Sequence, residues 1–168
     1  ELVAAATNVV AATGDAQDYE WFLNKYTNAT TPQERIRMLY ALAEFNSEEL
    51  MERTTAFAFT DAVKTQDAPF LLNRCIANRH HGVVAWAAVR KNWVKANKEF
   101  PGNTIVRMIS SVTTLNSESL EAEVQAFFSE HTIPQATKTL DQVLERQRVN
   151  VALRKREENS LAKTLMGH

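Results

Sequence analysis

The sequence predicts an all-α fold, an α-α superhelix in which helix hairpins stack as a HEAT- or armadillo-like solenoid. Three observations predict it. Apolar residues recur at intervals of three and four along almost the whole chain. Only four glycines and four prolines occur in 168 residues, too few turn formers for an all-β fold. The helix starts are also regular, with caps or breaks near 15, 31, 47, 67, 82, 102, 117 and 134. Taken in pairs (15, 47, 82, 117) they step by about 32 to 35 residues, the period of helix-pair repeats. The pairs are not visibly alike in sequence, so the period is structural rather than a consensus. An irregular helical bundle is the plainer alternative.

Each element has its own local reason. Residues 1–14 read as the tail of a helix that begins elsewhere, so residues 1–168 are expected to be a single helical-repeat domain cut from a longer chain. Gly14 and Asp15 punctuate before Tyr19, Phe22, Leu23 and Tyr26, which share one helical face. Thr31, Pro32 and Glu34 are a cap, a first-turn proline and the far half of a capping box, and Ile36, Leu39, Leu42 and Ala43 follow as the buried stripe. Ser47 restarts the chain with two acids in the first turn, where the helix dipole favours them. Asp67 is expected to cap the next helix, with Pro69 early in it. After Gly82, the residues Val83, Trp86, Ala87, Arg90, Trp93 and Val94 make a stripe that should bury heavily. "FPGN" breaks it, and "NTIVRMISSV" follows. Ser117 then caps a helix with Leu120, Val124, Phe127 and Phe128 on one face, and the last helix starts near Pro134 and carries Leu140, Val143, Leu144 and Val151.

The composition bounds function. With 45% hydrophobic residues the chain can bury a core without disulfides or a structural metal. A net charge of −1 gives no footprint for nucleic acid or an anionic membrane, and no apolar run reaches the roughly 18 to 20 residues a bilayer span needs. The single cysteine, Cys75, allows no internal disulfide and lies on an apolar face with Leu71, Leu72 and Ile76, where an inert thiol is expected.

The adjacent pair His80 and His81 is the obvious candidate for chemistry. Neighbours on a helix point about 100° apart, so the two cannot easily share one metal, and no acid or second histidine follows at i+4. The pair is read as a polar turn between helices. Arg90 is expected to lie over an indole or to pair with an acid. Ser110, Ser111, Thr113 and Thr114 sit where such residues cap or turn. Glu118, Glu121, Glu123 and Glu130 read as a solvated helix face with few basic partners, and "LRKREEN" as a helix end with i,i+4 pairs. No catalytic or metal-ligating set emerges from the residues.

"NRHHGVVAWAAVRKNW" nonetheless resembles a segment of the C-terminal helical domain in the aminopeptidase N family of zinc metallopeptidases. The matching positions are Asn78, Gly82, Ala85, Trp86, Arg90, Asn92 and Trp93. "ESLEAEVQAFFSEH" resembles the family's acidic helix ending in paired Phe127 and Phe128, and "TKTLDQVLERQRVNVALRKRE" its closing helix with Glu145, Arg146 and Asn150. The style is most like actinobacterial members. The resemblance implies a stack of HEAT-like or armadillo-like helix pairs that closes over a separate catalytic domain and shapes a peptide chamber. It implies a cytoplasmic bacterial parent that releases N-terminal residues from peptides with zinc, the catalytic domain of the same chain and peptide substrates being the partners. The family's metal and catalytic motifs have no counterpart here, so the matching residues are taken as a packing signature and this piece, with no cofactor of its own, as inert by itself. A free-standing helical-repeat scaffold that binds a protein or peptide is the alternative.

Overall fold

Most hairpins begin where a side chain can take up the free N–H groups of a first helical turn. The computed structural model describes residues 2–133 and 136–166. Among them the order is α1 (Leu2–Thr13), α2 (Ala16–Thr27), α3 (Pro32–Ala41), a 3-10 turn (Leu42–Glu44), α4 (Glu48–Ala58), α5 (Ala68–Ala77), α6 (Gly82–Lys91), α7 (Trp93–Glu99), α8 (Gly102–Ile109), a second 3-10 turn (Ser110–Thr114), α9 (Glu118–Glu130) and α10 (Thr137–Met166). No strand occurs among the described residues, and the all-α expectation holds. The predicted start near Pro134 lies outside them.

The caps follow local chemistry more finely than spacing alone indicates. Asp15 accepts from the N–H groups of Gln17 and Asp18 at 2.8 and 3.0 Å, and Asp18 accepts from the Asp15 N–H at 3.1 Å. That is a complete capping box where the sequence suggests only a break. Ser47 and Ser117 accept from Leu50 and Leu120 as expected, at 3.4 and 3.3 Å. Thr31 accepts from the Glu34 N–H at 3.2 Å, but the reciprocal bond is not made, because the Glu34 carboxylate turns to the N–H and hydroxyl of Thr30. Asp67 does not cap α5. Its backbone is already helical, at φ −97° and ψ −32°, which does not aim the carboxylate at the N–H groups one turn on.

The helices form two layers. In one, α2, α4, α6 and α9 lie side by side; in the other, α3, α5, α8 with its 3-10 turn, and α10 follow one another, with α1 against α3. The bonds that join successive hairpins recur at the repeat interval. Tyr19 meets Thr54, Tyr26 donates to the Ala62 carbonyl, Asn78 to that of Ala43, Lys95 to that of Phe59, and Asn150 to that of Thr113, at 2.8 to 3.0 Å and separations of 35 to 37 residues. The spacing of the starts and the spacing of the contacts thus agree, as a helix-pair stack requires.

One core runs through the stack. Tyr19 and Phe22 pack edge-on against Phe45 at 5.2 and 5.6 Å between ring centres, and Leu39, Leu42, Leu71, Leu72 and Ile76 are buried completely. Burial of each such side chain contributes roughly 1.5 to 3 kcal/mol. In the α3 stripe Leu39, Leu42 and Ala43 are buried as expected, while Ile36 is only half-buried and Met38 is buried as well. The stripe after Gly82 keeps Trp86 and Trp93 but loses Val83, Ala87 and Val94 to solvent, with Ala85, Val89 and Ala96 buried instead. The helix breaks at Asn92, where the amide side chain and the backbone N–H both donate to the Ala88 carbonyl, at 2.9 and 3.1 Å. Such local competition bends a helix and resets its phase.

Candidate functional site

The turn at residues 78–82 is built around one amide. The Asn78 side-chain oxygen accepts from the N–H groups of His80 and His81 at 2.9 and 3.0 Å, while its nitrogen donates to the Ala43 carbonyl one repeat earlier. The Gly82 N–H closes the turn on the Asn78 carbonyl at 3.0 Å. A Cβ on Gly82 would stand 2.3 Å from the Ile76 carbonyl oxygen, so the turn passes too close to α5 for any side chain. His81 reaches Asn46 at 3.2 Å, and the two imidazoles sit 6.2 Å apart and tilted. The pair therefore forms a polar turn tied to the preceding repeat.

The same device recurs down the second layer. Asn73 donates to the Arg107 carbonyl at 2.7 Å, Gln147 to that of Leu115 at 2.9 Å and Asn150 to that of Thr113 at 2.8 Å. Helix ends leave carbonyls without intrahelical partners, and these amides supply donors across the repeat boundary. Gln147 is fully buried and was missed from the sequence, although its place four residues after Val143 and four before Val151, both buried, marks it as facing inward. The Ser and Thr hydroxyls at 110, 113 and 114 bond back to carbonyls three residues earlier, as turn residues do.

Of the other matching residues, Trp86, Trp93, Phe127 and Phe128 gather in one aromatic cluster, with Arg90 at its edge. Trp86 meets Phe127 edge-on at 5.2 Å and Phe128 at 5.8 Å; Trp93 does the same at 5.2 and 5.7 Å. His131 stacks on Phe127 at 4.2 Å, with Nδ1 2.9 Å from the Phe127 carbonyl. At the edge of the cluster, Glu123 accepts from the Trp86 indole N–H at 3.0 Å and from Arg90 at 3.1 Å, and the guanidinium also lies over the indole. Both expected roles of Arg90 are realised together.

Of the acids expected on a solvated face, Glu118 and Glu130 are exposed, but three of the four have basic partners. Glu118 meets Lys155 at 2.6 Å, Glu121 meets Arg148 at 3.5 Å and Glu123 meets Arg90. Their partners come from α10 and α6, too distant in sequence for helical spacing to show. Within "LRKREEN" the pair Arg154–Glu158 is i,i+4, at 2.6 Å, while Lys155 reaches across to α9.

Cys75 is wholly buried, and desolvation pushes its thiol well above the ordinary range, which disfavours the reactive thiolate. No group of three His, Cys, Asp or Glu side chains suited to a metal ion occurs among the described residues, and His131, stacked and bonded as above, is engaged elsewhere. Several grooves mark the surface, two of them beside α6. One, about 590 Å³, runs between α4 and α6 over Ala56, Phe59, Val84, Ala87 and Ala88, with Glu52 and Lys91 at its rim. The other, about 680 Å³, lies between the turns at 78–82 and 114–117. No helix among the described residues is long and apolar enough to cross a membrane.

Comparison with known proteins matches this architecture. The family model of the ERAP1-like C-terminal domain matches residues 1–149. Aminopeptidase M1-D from Oryza sativa subsp. japonica is 31% identical over 134 residues, 79% of this chain and 15% of that protein. Aminopeptidase M1-B from the same plant is 29% identical over 157 residues, covering 91% of this chain and 18% of its own length. The alanine/arginine aminopeptidase of Saccharomyces cerevisiae is 27% identical over 168 residues, 98% of this chain and 20% of that protein. The chain thus spans only 15 to 20% of the curated relatives it matches. On the family match and the hairpin stack together, this chain belongs to the ERAP1-like C-terminal domain family, the C-terminal domain of aminopeptidase N-type enzymes.

Proposed function

We propose that this chain is the non-catalytic C-terminal domain of a zinc-dependent aminopeptidase, that it docks on the catalytic domain of the same polypeptide, and that it closes over the cleft to shape a peptide chamber. The parent enzyme is a cytoplasmic bacterial one that releases N-terminal residues from peptides. The observation that carries the reading is the use made of the matching residues. Asn78, Gly82, Trp86, Arg90, Asn92, Trp93, Phe127, Phe128 and Asn150 are spent on turns, repeat-to-repeat bonds and the aromatic cluster, and they bring no nucleophile or acid–base pair together. In this reading the zinc is held by another part of the polypeptide, where a set of His and carboxylate ligands would bind it.

The test is an assay of two samples on an aminoacyl fluorogenic substrate. The complete polypeptide should cleave it and lose activity to a chelator. The 168-residue chain by itself should not. Chelator-sensitive cleavage by the short chain would refute the inert-domain reading; a complete polypeptide without peptidase activity would favour a helical-repeat scaffold instead.

A further inference from the structure

The larger groove carries more than its part in the fold. It is about 680 Å³ and lies between two successive inter-repeat turns. Arg79, His80 and Arg154 line it, and no carboxylate does. Arg154 is already engaged, donating to Glu158 and Asn116 at 2.6 Å each. Arg79 is not: exposed like His80 and Arg154, it forms no ion pair and donates no side-chain hydrogen bond among the described residues. Its five N–H donors form a fork suited to a carboxylate or phosphate. The first turn of α6 opens on the same wall without a side-chain cap or an acid, which adds to the positive potential. Next to the cations, Val83, Leu115 and Leu120 give the groove an apolar side.

We propose that this groove binds a small organic oxyanion, its phosphate or carboxylate group held by Arg79 beside His80 and Arg154 and its apolar part against Val83 and Leu120. Pockets of this size that combine polar groups with apolar walls are how small ligands are held. The site lies on this chain's own turns and does not depend on the peptidase reading.

The complete polypeptide should be titrated by calorimetry with inorganic phosphate and, separately, with succinate. One equivalent of at least one of them should bind, at least tenfold more weakly in Arg79→Ala and as in the wild type in Arg53→Ala, a charge change at a distant surface pair. Phosphate alone would assign a phosphoryl ligand, succinate alone a carboxylate. If Arg79→Ala melts early, Arg79→Gln carries the same comparison. Binding of neither probe, or binding undiminished when Arg79 is replaced, would overturn the proposal.

Discussion

Gly82 and Trp86, one turn apart on α6, show how single residues constrain the fold. Helix propensity alone favours Gly→Ala by about 1 kcal/mol. At Gly82 the sign should reverse, because the new methyl would meet the Ile76 carbonyl oxygen at 2.3 Å, and overpacking against backbone costs about 1 to 3 kcal/mol. A Gly82→Ala chain that melts at or above the wild-type temperature would mean that the turn does not pass so close to α5. Trp86 is wholly buried against Phe127 and Phe128, so Trp86→Ala should cost about 3 to 5 kcal/mol in denaturant unfolding. A near-unchanged midpoint would contradict its place in the cluster. The inward face of Trp86 and Trp93 was legible in the sequence because large aromatics seven residues apart mark one side of a helix. Val83 and Ala87 misled because the buried face of α6 is centred on Gly82, Ala85, Trp86 and Val89, to one side of the expected stripe, and Val94 because Asn92 ends α6 before it.

At the scale of elements, the caps and the cross-repeat amides are the parts most open to test. Ser47→Ala should cost about 1 kcal/mol, the usual price of a lost N-cap, whereas Asp67→Ala should cost well under half of that because its carboxylate caps nothing. Equal losses in thermal melts would restore Asp67 as a cap. Asn78 separates two contributions. Asn78→Asp keeps an acceptor for the His80 and His81 N–H groups but loses the donor to the Ala43 carbonyl; Asn78→Ala loses both. Asn78→Ala should therefore cost about 1 kcal/mol or more, and Asn78→Asp should also destabilise, because its carboxylate oxygen would face the Ala43 carbonyl that now accepts from the amide. Wild-type melting of Asn78→Ala would show that neither the turn bonds nor the bond between repeats stabilises the stack. Helix starts and the 32-to-35-residue step could be read directly from caps and breaks. The partners of Glu118, Glu121 and Glu123 could not, because each pairing spans 27 to 37 residues, and no helical period reports such a distance.

For the whole molecule, the bonds at repeat spacing tie neighbours to neighbours, and one core runs from α1 to α10. Cys75 reports on that core without a label. It is fully buried in α5, between the first and last hairpins, so a thiol reagent at mildly alkaline pH should leave the native chain unmodified and modify one thiol per chain once guanidinium unfolds it. Rapid reaction without denaturant would mean that the middle of the stack opens on its own. What this domain does for the polypeptide around it was only partly legible, since its family could be identified from packing residues while the chemistry of the parent leaves no mark on them. The most direct measurement is the size of the native polypeptide, obtained by blotting a source lysate with an antibody raised against this chain. A band several times larger than 19.0 kDa is the predicted result and places the domain inside a larger enzyme. A single band near 19.0 kDa would contradict that and leave a helical-repeat protein acting alone.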